Sequence, residues 1–451
     1  MNLSVLLAHR AEVGRPVTLA LIGAGKFGAM FLAQARRTPG LHVAAVVDVS
    51  VDKACNALAL TGWPHQSYAA PDIGNALATG ATYVTENPHE VIAAPGIELI
   101  VEATGSPAAG IEHALACITH GKHLINVTVE ADVLVGPLLA HRFTEAGLIY
   151  SLAYGDQPAL IAELVDWART SGFDVVCAGK GTKYHPDYRY STPETVWAHY
   201  GITEQRASEG GLNPQIFNSF LDGTKSSIEM AAVANSCDLV PQPEGLNFPA
   251  CGVDDLPQIM RPRSVGGQLA HSGTVEAVSS LERDGRPVFR DLRWGVFVVI
   301  EAYDDYVRRC FTDYGMIIDS TGRYVAMYKP YHLIGLELGV SIASVGLLHR
   351  PTGAPNAFRG DVVAVAKRDL APGERLDGEG GYTVYGKLMP AQASLAAGAL
   401  PIGLAHRVSL RRALSRDEVV RWTDVALDDA DLAVRTRREM EAAFAPALAA
   451  E

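Results

Sequence analysis

Val17-Thr18-Leu19-Ala20-Leu21-Ile22-Gly23-Ala24-Gly25-Lys26-Phe27-Gly28 is the stretch on which the fold turns. An apolar run of strand length passes directly into a GxGxxG, and the residues that follow, GAMFLAQARRT, have helical periodicity. Strand, glycine turn and helix in that order open a dinucleotide-binding βαβ unit. The first glycine permits the tight turn, the second lets a pyrophosphate approach the backbone, and the third lets helix and strand pack closely. The phosphates then lie at the positive N-terminus of the helix. Asp48 stands twenty residues past Gly28, at the end of the next apolar run. A carboxylate there accepts from a ribose diol and repels a 2′-phosphate, which favours NAD; Lys53 nearby keeps NADP as the alternative. Gly23, Gly25, Lys26, Phe27, Gly28 and Asp48 are therefore the expected cofactor-binding residues.

Outward from this unit, the apolar runs HVAAVVD (42–48), IELIVEATG (97–105), KHLINVT (122–128) and LIYSLAYG (148–155) alternate with helix-period segments. PAAGIEHALACITHG (107–121) begins behind Ser106 with a proline suited to a first helical turn, and VLVGPLLAHRFTEAG (133–147) closes on a glycine. The alternation predicts an α/β fold, a doubly wound parallel sheet of Rossmann type, over residues 1–155. Ligands in such sheets lie beyond the carboxyl ends of the strands, so Thr104, Gly105 and Asn126 are expected at the nicotinamide end. Glu130 and Asp132 follow at once, as site acids or as acids favoured by a helix N-terminus. Residues 156–355 mix helical and strand-like runs and predict an α+β substrate or dimerisation domain. Residues 356–451 carry short β-rich pieces broken by turns such as APGERLDGEGG, then a charged helix.

The balance of the 451 residues, 48% hydrophobic and 20% charged, is that of a globular chain with large cores. A net charge of −12 with no run of basic residues argues against nucleic acid and anionic membrane as partners. No apolar stretch is long enough to predict a membrane span, and the opening MNLSVLLAHRAEVG does not read as a secretory leader. The six cysteines are scattered, without a CxxC, and the fourteen histidines include no HExxH, so no metal site is expected. Scattered cysteines suit a reducing cytoplasm.

A second candidate cluster joins Tyr154-Gly155-Asp156-Gln157-Pro158 with Ala178-Gly179-Lys180-Gly181-Thr182-Lys183. A desolvated lysine can protonate an alkoxide or take the proton of an alcohol, with a carboxylate to orient it. Lys180 and Asp156 are the expected pair, against the alternative of a solvated loop lysine. In FLDGTKSSIEM (220–230), Lys225 and Glu229 stand four apart on one helix face. They read either as an ion pair worth about 0.2–0.5 kcal/mol or, with Lys183 and Asp132, as substrate contacts.

LIGAGKFG, IVEATGSP, GKHLINVTVEADVLVGP, IYSLAYGDQP, VVCAGKGTK, FLDGTKSSIEMAAVAN, GVFVVIEA, KPYHLIGLEL and KRDLAPGERLD, in this order, resemble the DXP reductoisomerase-like (DRL) family. That family is similar to homoserine dehydrogenase and ends in a SAF-type β domain. The resemblance implies an NAD(P)-dependent oxidoreductase, typically dimeric. In this sequence its GKG lysine falls on Lys180, its junction aspartate on Asp156 and its VEAD acids on Glu130 and Asp132. Where the family reads GDEPSS at the junction, this chain has Gly155-Asp156-Gln157-Pro158-Ala159-Leu160, without one carboxylate and two hydroxyls. With Asp48, this points to a sister enzyme acting on another small polar hydroxy or oxo compound. The alternatives are 1-deoxy-D-xylulose 5-phosphate reductoisomerase itself and a non-catalytic NAD-binding sensor or scaffold.

Overall fold

The computed structural model describes residues 2–449. They form two compact units, one of the residues up to Leu160 with His332–Asn356, the other of Ile161–Tyr331 with the residues from Ala357 onward.

The first unit is built on a six-stranded parallel sheet: β1 (Val17–Ile22), β2 (Leu41–Val47), β3 (Tyr83–Thr85), β4 (Leu99–Glu102), β5 (His123–Asn126) and β6 (Tyr150–Leu152), in the order β3-β2-β1-β4-β5-β6. This is the doubly wound Rossmann order, with the chain reversal falling beside β1. Strands covered on both faces must be apolar throughout, which is why their sequences run without alternation. Ser106 caps the helix Pro107–Thr119 by accepting from Ala109 N, as its position before proline predicts. The helix Val129–Glu145 starts four residues earlier than the apolar run suggests, which puts Glu130 and Asp132 in its first turn. At three residues β3 is too short to stand out as an apolar run.

Residues 332–355, which in the sequence read with the middle domain, belong with Asn356 to this first unit. Leu338, Ile342, Ala343 and Val345 share one buried core with Val17, Leu19, Phe31 and Leu32. Ser341 Oγ accepts from Tyr154 N at 2.8 Å, and Gly353 O accepts from Leu152 N at 2.7 Å.

The second unit contains a mixed sheet of β7 (Asp174–Thr182), β8 (Thr274–Ser279), β9 (Val296–Glu301), β10 (Ile317–Ile318) and β11 (Tyr324–Lys329), in the order β10-β11-β9-β7-β8. β7 runs parallel to β8 and antiparallel to β9. Cys251, Val253, Leu256 and Met260 pack with Val176, Val278, Phe297 and Val299 in one core. The helix Thr224–Cys237 packs against β7 and β8. It also packs against a two-stranded sheet of β12 (Gly360–Ala366) and β14 (Val384–Pro390). β13 (Arg375–Asp377), β15 (His406–Leu410) and β16 (Val425–Ala426) form a small antiparallel sheet, and the chain ends in the helix Leu432–Ala449.

Candidate active site

In the first unit, each glycine of the turn after β1 has its own reason. Gly23 has φ +104°, and a Cβ there would stand 2.4 Å from Ala103 O. A Cβ on Gly28 would stand 2.3 Å from Gly23 O, so this position brings the helix Lys26–Ala35 down onto the turn. A Cβ on Gly25 would meet nothing within 4 Å, so no protein contact of this structure requires glycine there. The open space lies at the N-cap of a ten-residue helix, where a phosphate would need it. Lys26 is exposed and Phe27 half-buried.

Asp48 follows β2 directly and is buried. One oxygen accepts from Ala24 N at 2.8 Å, which braces the glycine turn. The other lies 3.3 Å from Lys53 Nζ and has no hydrogen-bond partner among the described residues. A buried acceptor with capacity left over, beside an open glycine, fits the ribose and pyrophosphate of a dinucleotide.

At the carboxyl ends of β4 and β5 the expected residues are joined by one that the sequence reading passed over. Glu102, the last residue of β4, is fully buried. Its carboxylate accepts from Thr104 N at 3.2 Å and from the hydroxyls of Thr104 and Thr128, and it lies 3.5 Å from His113 Nδ1. Thr128 Oγ1 in turn accepts from Gly105 N at 3.0 Å, so one carboxylate ties together the loops after two strands. Thr104 and Gly105 are exposed.

Asn126 donates from Nδ2 to Thr128 O at 3.1 Å and to Tyr150 Oη at 2.9 Å. Because a carbonyl only accepts, the atom facing it is the amide nitrogen, and the Tyr150 hydroxyl, accepting from that amide, donates to Asp132 Oδ1, 2.9 Å away. Asp132, in the first turn of the helix Val129–Glu145, is fully buried, and its Oδ1 accepts from the Tyr150 hydroxyl. Burial pushes its carboxyl up to about 7, against the pull of the Tyr150 hydrogen bond. Glu130 is half-buried in the same first turn. Asp156 is buried, and its Oδ1 accepts from Gln157 N at 2.9 Å at the head of the helix Gln157–Thr170.

In the second unit, Lys180 is not a solvated loop lysine. It lies in β7, an inner strand, paired in register with Ala277 of β8 and Val296 of β9, and is 2% exposed. The flanking glycines follow from close packing. A Cβ on Gly179 would stand 1.9 Å from Glu276 O, and one on Gly181 would stand 1.8 Å from Leu292 O. The sequence allows Glu229 to pair with Lys225 along its own helix; the structure brings the ammonium of Lys180 to its carboxylate. Lys225, half-buried, lies one turn earlier on that helix. Lys183, just past β7, donates to His199 O at 2.5 Å and lies 5.4 Å from the Tyr200 ring centre. Burial, and then Arg293, lower its pKa from the usual lysine range.

A buried lysine bonded to a buried carboxylate in a strand fixed on both sides can hold or move a proton with little motion of either group. Among the described residues no group of three or more His, Cys, Asp or Glu side chains is placed to hold a metal ion, and no helix is long and apolar enough to cross a membrane.

A parallel sheet in Rossmann order with a glycine-rich first turn places the first unit in the Rossmann-type α/β class. Residues 155–338, about two-fifths of the chain, match the model of the family described as "Oxidoreductase DRL, catalytic domain". No curated protein sequence matches the chain. Among solved structures, a probable dehydrogenase from Thermotoga maritima is similar at 12% identity, over 74% of this chain and 90% of that one, with a TM-score of 0.37. GenD2 from gentamicin A biosynthesis, in complex with NAD, is similar at 13% identity over 76% and 89%, with a TM-score of 0.36. Myo-inositol dehydrogenase from Lactobacillus casei, in complex with NAD(H) and myo-inositol, is similar at 15% identity over 41% and 52%, with a TM-score of 0.28. The chain spans about half the length of the myo-inositol dehydrogenases it matches, 48% of that from Corynebacterium glutamicum and 52% of that from Lactobacillus casei.

Proposed function

We propose that the chain is an NAD-dependent dehydrogenase or reductase of a small polar hydroxy or oxo compound. The observation that carries the reading is the buried Lys180–Glu229 pair within the segment matched to an oxidoreductase catalytic domain. Gly23, Gly25 and Gly28 would hold the pyrophosphate at the N-terminus of Lys26–Ala35, Asp48 the adenosine ribose, and the loops carrying Thr104, Gly105 and Asn126 the nicotinamide end. The nicotinamide supplies the hydride acceptor or donor. Lys180 holds the proton that joins or leaves the substrate oxygen, and Glu229 keeps its amine oriented and its charge compensated. Asp156 is a further candidate to orient Lys180, and Glu130, Lys183 and Lys225 to contact substrate. Asp132 and Tyr150 act behind Asn126, fixing its amide.

Residues 356–451 are assigned as a SAF-type β module on their short antiparallel strands. The six unpaired cysteines fit a reducing cytoplasm, and a homodimer is the assembly proposed for a chain of this kind. The test of function is a screen of small hydroxy and oxo compounds with NAD or NADH, followed at 340 nm, in wild-type protein and in Lys180→Met. Turnover in the wild type that Lys180→Met loses supports the reading. Turnover that survives the substitution removes Lys180 from the mechanism.

A further inference from the structure

We propose that the segment from Ala357 onward is part of the catalytic machinery as a positioning element, acting through Lys367 on the helix that carries Glu229. The proposal rests on reading Lys180 and Glu229 as the proton-transfer pair.

The helix Thr224–Cys237 has little to fix its own start. Its N-cap is Gly223, at φ +86°, with no side chain to accept from the first turn. That work is done from outside. Asp222 Oδ1 accepts from Thr224 N at 2.9 Å, and Asp222 Oδ2 meets Lys367 Nζ at 2.7 Å. Both side chains are out of solvent, at 0% and 2% exposure. Lys367 also donates to Ser191 O at 2.8 Å and to Gly381 O at 2.7 Å, so its ammonium is held between two carbonyls and the Asp222 carboxylate. One step along, Gly386 N of β14 donates to Thr224 Oγ1 at 2.8 Å.

The other end of the helix is held by the same segment. Asn235 Oδ1 accepts from Arg359 N and Gly360 N, each at 2.8 Å. Its Nδ2 donates to Gly360 O at 3.1 Å, and Ala357 N donates to Asn235 O at 3.2 Å. A Cβ on Gly360 would stand 3.2 Å from Ala234 Cβ, which shows how closely β12 runs along the helix. Thr224 and Asn235 bracket Glu229, and both are tied to the segment that begins at Ala357, Thr224 directly through Gly386 and again through Asp222 to Lys367.

Apolar packing of β12 and β14 would stabilise the helix without specifying its position along its axis. A buried ion pair is different, because taking both charges out of water is offset only when the geometry is good. Lys367 thus sets where the helix begins, and the helix sets where the Glu229 carboxylate meets Lys180. A displacement of about 1 Å at a reacting group is enough to cost about a hundredfold in rate.

The test uses the full chain and needs no substrate. Acetic anhydride labelling of Lys180 is read by peptide mass spectrometry against Lys122, a buried lysine of the first unit that donates to Ala94 O and Ile97 O. In the double variant Asp222→Asn, Lys367→Met, which removes both charges together, Lys180 labels about tenfold faster or more while Lys122 keeps its wild-type rate. Lys367→Arg, which keeps the charge, restores slow labelling. With a substrate from the 340 nm screen, kcat falls about ten- to a hundredfold in the double variant and the KM for NADH does not move. A folded double variant whose Lys180 labels at the wild-type rate overturns the proposal, as does a folded Lys367→Arg that labels like the double variant. Lys180→Met with full turnover would instead remove the catalytic reading, leaving the labelling result as a statement about helix position alone.

Discussion

Lys180 of β7 and Glu229 of the helix Thr224–Cys237 meet through their charged ends, with 3% and 2% of their side chains exposed. Removing one member of such a pair strands the other, at a cost of about 3–5 kcal/mol, whereas replacing both by apolar groups of similar volume is close to neutral. Lys180→Met is therefore expected to lower the melting temperature, and Lys180→Met with Glu229→Leu to recover it. Turnover is not recovered. It falls about 10²–10⁴-fold in both variants, as expected for loss of a general acid/base, and calorimetry beside the 340 nm assay separates the two effects.

The glycine turn gives opposite expectations at two positions. Gly25→Ala adds a methyl where no atom lies within 4 Å, at an ordinary φ of −68°, so thermal stability stays within about 0.5 kcal/mol of wild type. NADH affinity falls about tenfold or more, because the methyl takes the place of a phosphate oxygen. Gly28→Ala forces a Cβ to 2.3 Å from Gly23 O and lowers stability itself, by about 1–3 kcal/mol. Melting curves and NADH fluorescence titrations of the two variants check both statements.

Asp48 is the residue proposed to set the choice of dinucleotide. Asp48→Asn keeps an oxygen for Ala24 N and removes the charge that repels a 2′-phosphate. The ratio of NADPH to NADH affinity is expected to rise about tenfold or more, equivalent to about 1.4 kcal/mol, measured by competitive titration.

Asp132 gives a pH signature. Its carboxyl is pushed up to about 7 in the fold by burial, above its value in the unfolded chain. Between those values the folded state holds the proton more tightly, so this residue's contribution is fully present below about pH 4 and is lost as pH rises through about 7. The stability of wild type relative to Asp132→Asn is expected to fall by a few kcal/mol, an order-of-magnitude figure, from about pH 4 to about pH 7 and to level off above. Urea unfolding of both proteins across that range measures it. A difference that stays flat or rises with pH contradicts the burial argument.

The Rossmann half of the molecule is legible in the sequence because the apolar runs, the glycine spacing and Asp48 all follow from local rules: strand length, turn geometry and a twenty-residue interval. Lys180 stands out as a lysine between glycines, but the reason for those glycines, carbonyls of Glu276 and Leu292 less than 2 Å from where a Cβ would be, lies in distant parts of the chain. Its partnership with Glu229 spans 49 residues and no periodicity announces it. Glu102, Glu276 and Lys367 share a signal that sequence reading passed over. Each is a charged residue set in an apolar strand run, IELIVEATG, TVEAVSS and DVVAVAKRD, where a charge survives only if the fold supplies partners. Glu276 has them from Asn247 N, Asn247 Nδ2 and Gln242 Nε2, at 3.0–3.2 Å. The segment 332–356 reads with its sequence neighbours, although its apolar face completes the core around β1, an arrangement set by long-range packing.

The central claim, that this chain binds a nicotinamide dinucleotide in the manner of an NAD-dependent oxidoreductase, is tested most directly by titrating the purified protein with NADH and with NADPH and following nucleotide fluorescence. The account predicts saturable NADH binding in the micromolar range, NADPH at least about tenfold weaker, and NADH binding weakened about tenfold or more in Gly25→Ala without loss of fold. Absence of binding by either nucleotide, or binding that Gly25→Ala leaves unchanged, would contradict it.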